Sequence, residues 1–235
     1  MLVGFGFGFD APVPFASGAG LALDGLPGWE STPARVASTA VGVSGYLRSG
    51  DLQEGVLSAA GEWGSRSFRG AFLYSYYALD SLFRQSAASL EGAYVRGILV
   101  AGVGFGAVAE WVPEDGAWMR YRFKTGLSLR AGDFVFSARW ASFTDDVRWK
   151  PKVGVVWEAS DVFSAYVETG FESFIAGSRL DFSWGSLETS YEFPGFALWF
   201  GVSLGFDGYG IGVVHGACGT LPAWNGVWVS KSFKK

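Results

Sequence analysis

The chain has 235 residues, a formal net charge of −4, 17% aromatic residues, 35 glycines and a single cysteine, Cys218. So mild a charge argues against a nucleic-acid partner, and one cysteine excludes an internal disulfide. No run of about 18 apolar residues occurs, which excludes a membrane-spanning helix. The apolar residues of this chain are therefore expected to lie in β-strands.

The first 34 residues form a segment rich in glycine and proline. Met1 to Phe9 alternates phenylalanine or valine with glycine, and four prolines between Asp10 and Pro33 oppose regular pairing. A long irregular segment in a compact domain favours a plug packed in or beneath a barrel, and a flexible tail is the alternative. Residues 1–20 lack the basic start and apolar run of a signal peptide, so we expect export to depend on a leader outside the numbered sequence.

From residue 35 to residue 235, segments of alternating polarity follow one another almost without pause. About fourteen strands are predicted: 35–48, 54–64, 67–78, 88–96, 98–112, 117–130, 133–142, 148–158, 162–172, 174–184, 186–194, 196–206, 209–217 and 224–233. Lengths near ten residues are typical of tilted strands that cross a bilayer, and they exceed the five or six residues usual in soluble sheets. The sequence thus predicts an all-β domain over 35–235.

The clearest alternation runs from Ala117 to Glu158, where basic and apolar residues occupy opposite strand faces. In a soluble sandwich the apolar face would be the core. In a transmembrane barrel it would contact lipid. Uncharged rows such as Leu99 to Trp111, read at every second residue, and tryptophans near strand ends favour an up-and-down antiparallel barrel in a bacterial outer membrane.

The predicted connections alternate between tight turns and longer segments, as they do in outer-membrane barrels. The longer set includes Leu79 to Ala87, Phe143 to Val147 and Cys218 to Ala223. Residues 79–85 could form a short helix at the barrel mouth, with an ordinary structured loop as the alternative. An even strand count would place both chain ends on one side.

Charged residues on the inward face define a candidate site. Predicted strands six to eight supply a basic sector: Arg120, Arg122, Lys124, Arg130, Arg139, Arg148, Lys150 and Lys152. Strands nine to eleven supply an acidic sector: Glu168, Glu172, Asp181, Glu188 and Glu192. In a water-filled lumen these sectors would orient polar solutes. In a packed lumen they would pair as a structural network, because an unpaired buried charge is costly.

The sequence offers little support for an enzyme. His215 lies three residues before Cys218, a spacing that suggests nucleophilic catalysis or a metal ligand, but no second histidine or cysteine completes a zinc site. Glycines 102, 104 and 106 lie within a predicted strand with no following helix, so a dinucleotide loop is excluded. They would instead let neighbouring groups approach the wall closely. We therefore predict no enzymatic activity, no cofactor and no metal.

The glycine- and proline-rich segment ending in Thr32-Pro33-Ala34, followed by about fourteen strands, resembles the FadL-type transporters of hydrophobic compounds and their PorV-type relatives of type IX secretion. Threonine stands where those families usually carry asparagine. The closing stretch from Asn225 to Phe233 resembles the terminal assembly signal of outer-membrane barrels.

The resemblance implies a porin-like barrel of a Gram-negative-type envelope that passes or binds small hydrophobic or amphipathic compounds. The alternative is a structural or secretion-accessory barrel that docks a protein partner at its periplasmic or external face. In either case the barrel would be surrounded by membrane lipid.

Overall fold

The computed structural model describes residues 40–48, 53–64, 67–143, 150–170, 174–194, 197–207, 209–218 and 221–233. They form fourteen strands: β1 Ala40–Arg48, β2 Glu54–Gly64, β3 Phe68–Leu79, β4 Phe83–Arg96, β5 Leu99–Val112, β6 Gly116–Ala131, β7 Phe134–Phe143, β8 Lys150–Glu158, β9 Phe163–Gly170, β10 Phe174–Phe182, β11 Gly185–Phe193, β12 Ala197–Phe206, β13 Tyr209–Cys218 and β14 Leu221–Ser232. The predicted segment 1–34 lies outside the described residues.

Each strand pairs antiparallel with the next in sequence, and β14 pairs with β1 to close the barrel. The closing register runs from Ala40 opposite Ser232 to Arg48 opposite Trp224. Closure gives every strand two neighbours, so no edge is left open. The predicted fold class, an up-and-down antiparallel barrel of fourteen strands, is confirmed.

The two faces of the wall differ in chemistry, as the alternation requires. On β5, Val103 and Phe105 are 66% and 48% exposed on the outside, whereas Val108 and Glu110 are buried on the inside. Large exposed apolar side chains recur on the outward face of strands around the barrel. Soluble monomers rarely expose apolar patches above a few hundred Å². A belt of this extent is suited to hydrocarbon.

The connection after β3 is shorter than the sequence indicated. Asp80 to Leu82 form a turn in which the Leu82 amide donates to the Leu79 carbonyl at 3.0 Å, and β4 begins at Phe83 rather than at residue 88. Leu79 pairs with Phe83, which extends the ladder and leaves no room for a helix over 79–85 or a long loop. None of the described residues belongs to a helix long and apolar enough to cross a bilayer.

The connection between β13 and β14 is also shorter than expected. The prediction of a long segment from Cys218 to Ala223 is wrong, because β13 extends to Cys218 and β14 already begins at Leu221. Cys218 pairs with Leu221, and a register shift after Gly216 brings these two residues opposite each other. The end of the barrel at which we expected longer loops therefore carries a short connection here.

Glycines on the inner face of the closing strands make room for aromatic rings from adjacent strands. A side chain at Gly216 would overlap the Trp199 ring, one at Gly212 would overlap Trp228, and one at Gly226 would overlap Tyr46. Each ring therefore lies flat along the wall across its neighbouring strand. Glycine weakens an isolated strand, and here the loss is offset by the packing of the ring.

Replacing Gly216 with alanine tests this packing. The new methyl group meets the Trp199 ring, so we expect Gly216→Ala to lower the free energy of unfolding by about 1–3 kcal/mol through overpacking. Gly92→Ala is the matched control, because a Cβ there would lie 3.6 Å from the Phe68 ring, an ordinary contact. Urea-induced unfolding in lipid vesicles, followed by tryptophan fluorescence, measures both. Equal stability of the two variants would contradict the proposed role of Gly216.

Candidate functional site: the inner wall of the barrel

The inner wall divides into two halves of different character. The first, which we call the aromatic half, belongs to β1–β3 and β12–β14 on both sides of the β14–β1 closure. Its buried cluster consists of Tyr46, Val56, Tyr77, Trp199, Val214 and Trp224, with Leu79, Phe83 and Trp228 packed against it. Tyr77 and Phe83 stand with ring centroids 5.9 Å apart. This half offers a mainly aromatic surface to the interior, interrupted by the ion pair between Arg48 and Glu54, whose guanidinium lies 5.0 Å from the centre of the Trp224 ring.

The second half, the charged half, belongs to β4–β11. Its buried charged residues are Glu91, Glu110, Arg122, Lys124, Arg139, Glu168 and Glu188. Charges removed from water require partners, since the desolvation penalty is several kcal/mol for each ion. The described contacts show how neighbouring strands supply those partners.

Glu91 and Lys124 meet across the intervening strand β5. Both pair in register with Gly104, which lies between them. The Lys124 ammonium lies 2.9 Å from a Glu91 carboxylate oxygen, and the two side chains are 5% and 0% exposed. A Cβ at Gly104 would come within 3.0 Å of the Glu91 side chain. The glycine therefore allows this buried ion pair to form over the backbone.

Glu110 gathers several donors nearer the end of β5. The Gln85 amide donates to its carboxylate at 2.8 Å, the Trp118 indole N–H donates at 2.6 Å, and Arg120 forms an ion pair with it. These partners come from β4 and β6, the two neighbours of β5. Because charge-assisted hydrogen bonds are about twice as strong as neutral ones, this cluster fixes the wall locally.

Glu168 lies between two cations. Its carboxylate is 3.7 Å from the Arg139 guanidinium and 3.5 Å from the Lys152 ammonium. Arg139 and Lys152 are direct partners across β7 and β8, so their like charges share one carboxylate. Gly170 faces Lys152, and a Cβ there would lie 2.9 Å from the lysine side chain. The lysine stem thus lies along the wall to reach Glu168.

Further around the wall the polar contacts continue. The Tyr166 hydroxyl donates to Glu188 at 3.1 Å across β10, where a side chain at Gly177 would overlap the ring. Arg179 and Asp181 pair at 2.8 Å and are more exposed. At the rim, Arg130 and Glu158 pair at 2.6 Å with side chains 49% and 28% exposed.

The predicted site residues differ in how deeply they are buried in the wall. Arg122, Lys124, Arg139, Glu168 and Glu188 are buried on the inner wall. Arg120, Arg130, Lys152, Asp181 and Glu192 share that face and are more accessible. Arg148 and Glu172 lie outside the described residues, and Lys150 is described only as the first residue of β8. Whether these residues line a path for solutes stays a prediction.

Sequence reasoning missed Glu91, Glu110 and Gln85. We expected the basic sector to face carboxylates of strands nine to eleven, yet Lys124 and Arg120 pair with Glu91 and Glu110 of β4 and β5. The inward position of Glu110 could have been predicted, since this residue alternates along β5 with the outward residues Ala109 and Trp111.

His215 lies on the outer face, exposed, and its Nδ1 is 2.9 Å from Asn225 Oδ1. Neither atom faces the polar interior. The pair is directly opposed in the β13–β14 register. The pair therefore lies on the outer face of the wall and takes no part in the polar network inside.

Several charged side chains of the inner wall have very low exposure to water. A circular barrel of fourteen strands with a tilt near 40° has a radius of roughly 14 Å, from the usual strand spacing. The described ion pairs join strands no more than two apart, so they do not bridge such a lumen. Yet Glu91, Arg122 and Glu168 are each 3% exposed or less. At these positions the wall is shielded from water as well as paired along its surface.

Comparison with known proteins supports the architecture. The outer membrane protein Omp33 of Acinetobacter baumannii is similar over 83% of this chain and 98% of its own, with a TM-score of 0.59 and 8% identity. A mutant of the Rh. blastica porin matches over 83% and 99%, with a TM-score of 0.46 and 8% identity. No family model matches the chain, and no curated protein matches it. At this identity the likeness to Omp33 shows the fold.

Breaking the ion pair over Gly104 should be costly. Lys124→Met leaves the Glu91 carboxylate buried without its cation, so we expect the free energy of unfolding to fall by about 3–5 kcal/mol. The double variant Lys124→Met with Glu91→Gln should regain much of that loss, because both charges of the pair are then removed. Arg130→Met is the control and should cost about 0–1 kcal/mol, since its pair is exposed. Urea unfolding in vesicles measures all three, and a loss for Lys124→Met no larger than the control's would refute the pair's importance.

Proposed function

We propose that this protein is a barrel of a bacterial outer membrane that passes or binds small amphipathic compounds along its lumen. The observation that carries the proposal is the two-sided inner wall, which is mainly aromatic on β1–β3 and β12–β14, apart from the Arg48–Glu54 pair, and carries most of the buried charges on β4–β11. An amphipathic compound can place its hydrocarbon against the aromatic half while its polar group meets the charged half.

The location rests on the outer face and on the fold. Apolar side chains such as Phe105, Phe136 and Phe200 are about half exposed on the outside of the closed barrel. All the strands except β9, which has eight residues, reach the length of about nine to eleven residues that a tilted strand needs to cross hydrocarbon. The likeness of fold to Omp33 supports the same placement.

The class of compound follows from the chemistry of the wall. A wholly polar solute would leave the rings of Trp199 and Trp224 without favourable contact. A wholly apolar one would be placed beside the more accessible charges of Arg120 and Lys152, whose hydration it could not replace. Compounds with one charged group and a short hydrocarbon part satisfy both halves. The resemblance to FadL-type transporters agrees with this class.

We propose further that residues 1–34 close the lumen at rest. Charged side chains of the inner wall such as Glu91 and Glu168 are shielded from water although they pair along the surface and not across the lumen. A glycine- and proline-rich segment of this length can follow such a wall without forming a competing ladder. Displacement of the segment would then open the path.

A second function is favoured by that same shielding. A barrel whose lumen is permanently sealed would serve as a structural or secretion-accessory protein, and its contact with a protein partner would occur at one end. Some connections at the end that carries Asp80 are short, as between Leu79 and Phe83 and between Cys218 and Leu221. Short connections leave the ends of these strands accessible to a docking partner.

Single-channel conductance in planar bilayers distinguishes these functions. We expect the full chain to be closed or to open rarely, and a form lacking residues 1–34 to conduct steadily. Dodecanoate should block the truncated form at concentrations at least tenfold below those of acetate, because only the longer chain contacts the aromatic half. Trp199→Ala should weaken the dodecanoate block and leave the acetate block unchanged.

The opposing outcomes are equally definite. If neither form conducts although both insert and fold, the lumen is sealed by its own wall and the accessory function replaces transport. If dodecanoate and acetate block alike, the channel survives and the amphipathic class of compound is wrong.

A further inference from the structure

An ion pair lies within the aromatic half, at the mouth of the barrel that carries the turn at Asp80. Arg48 is the last residue of β1 and Glu54 the first of β2, and the two are direct partners in the register. The guanidinium forms an ion pair with the Glu54 carboxylate, and the side chains are 20% and 8% exposed. Both residues lie two positions from buried inward residues, Tyr46 and Val56, so both face the interior.

Apolar side chains flank this pair on both sides. Trp224 of β14 is the direct partner of Arg48, and the guanidinium lies 5.0 Å from the centre of its ring. On the other side, Leu79 of β3 is the direct partner of Glu54, and Phe83 of β4 is the partner of Leu79. These residues occupy adjacent strands, so none lies farther than two strand spacings, roughly 10 Å, from the nearer member of the pair. One small compound can therefore contact the charges and the rings together.

Stability alone does not explain charges at this position. Removal of two charges from water is unfavourable, their attraction often fails to offset it, and apolar residues of similar volume can stabilise a site as well or better. Here such residues would extend the cluster that includes Tyr77 and Trp224. The ion pair instead gives this apolar mouth a set of polar groups. Arg48 is still 20% exposed, and Leu79 and Phe83 are only partly buried, so the surface is accessible to a small compound.

The pair presents hydrogen-bond donors and acceptors next to each other. Arg48 Nη2 meets Glu54 Oε2, and this contact uses only part of what either group offers. A guanidinium has several N–H donors in a planar fork, and a carboxylate has acceptor positions on both oxygens. The Trp224 ring and the ion pair also hold the guanidinium in one orientation, which lowers the entropy lost when a ligand binds.

The signs of these charges determine the class of ligand. A compound with one negative charge would be attracted by Arg48 and repelled by Glu54, and a compound with one positive charge would meet the reverse. A zwitterion gains from both contacts and brings no net charge into apolar surroundings. An aromatic side chain on the same compound can pack against Tyr77 and Phe83, whose ring centroids are 5.9 Å apart and whose planes are tilted by 57°.

We infer that Arg48, Glu54 and the rings beside them form a binding site for a zwitterion with an aromatic side chain, such as an aromatic amino acid. Its carboxylate lies against Arg48, its ammonium group against Glu54, and its ring against Tyr77 and Phe83. This site goes beyond the proposed function, in which the polar group of a compound meets the other half of the wall. It rests on that proposal only in that small compounds must reach the mouth of the lumen.

Calorimetric titration of the full-length protein in detergent, with ligands that share one carbon skeleton, tests the inference. Phenylalanine carries both charges, 3-phenylpropanoate lacks the ammonium group, and 2-phenylethylamine lacks the carboxylate. We expect phenylalanine to bind roughly tenfold more tightly than either of the other two, because only phenylalanine pairs with both charged residues. Alanine, which lacks the ring, should also bind roughly tenfold more weakly than phenylalanine.

Two variants assign each charge of the ligand to its partner. Glu54→Gln should remove the preference for phenylalanine over 3-phenylpropanoate, because the ammonium group then has no anion to meet. Arg48→Met should remove the preference for phenylalanine over 2-phenylethylamine, because the carboxylate then has no cation to meet. Arg130→Met is the matched control, since it breaks an ion pair at the opposite end of the barrel and should leave all affinities unchanged. A purely structural ion pair would not separate the two preferences in this way.

Equal affinity for phenylalanine and its singly charged analogues, or absence of binding to the folded barrel, would overturn the site. Preferences that survive in both variants would overturn it as well. If phenylalanine does not bind but dodecanoate still blocks the truncated channel, the site is refuted and the proposed transport function stands. Selective binding of phenylalanine to a barrel that never conducts would support the site and contradict transport.

Discussion

Closure of the hydrogen-bonded ladder between β14 and β1 is the constraint on which the rest of the structure depends. A closed ladder leaves no strand edge unpaired, so the wall can stand in hydrocarbon, where exposed backbone groups are too costly. Closure also fixes the two faces, because a slip by one residue would reverse every side chain. Apolar residues must then cover the outer face. Most charges that the described strands carry are directed inward, where they need partners, and the outward exceptions such as Arg84 and Lys231 lie near strand ends over aromatic rings.

Glycine is what lets those inward groups find partners on a crowded concave wall. Lys124 reaches Glu91 over Gly104, Tyr166 reaches Glu188 over Gly177, and Trp199 lies over Gly216. In each case a side chain crosses a strand that carries none at that position. The same device therefore builds the ion pairs of one half and the aromatic packing of the other. Several glycines of the described strands have this role in place of forming turns.

The alternation of polar and apolar residues predicted much of the fold and less of the candidate site. It gave the number of strands, their approximate bounds and the face of residues such as Arg122 and Glu168, because each is a local property of the sequence. Pairing across β5 depends on which residues stand level on three strands, and alternation does not contain that register. Glu91 was therefore overlooked as the partner of Lys124. The turn at Asp80 was mistaken for a long loop because its length depends on the pairing of Leu79 with Phe83.

The aromatic half of the inner wall and an apolar groove of about 810 Å³ on the outer face are formed by the same strands. Tyr46, Val56 and Val214 belong to the inner cluster and also border the outer groove, where the wall is thinned by Gly45 and Gly55. At Gly226 the Tyr46 ring occupies from inside the space that a side chain would take. Contacts on the two faces of these strands therefore stabilise one and the same set of strand pairs.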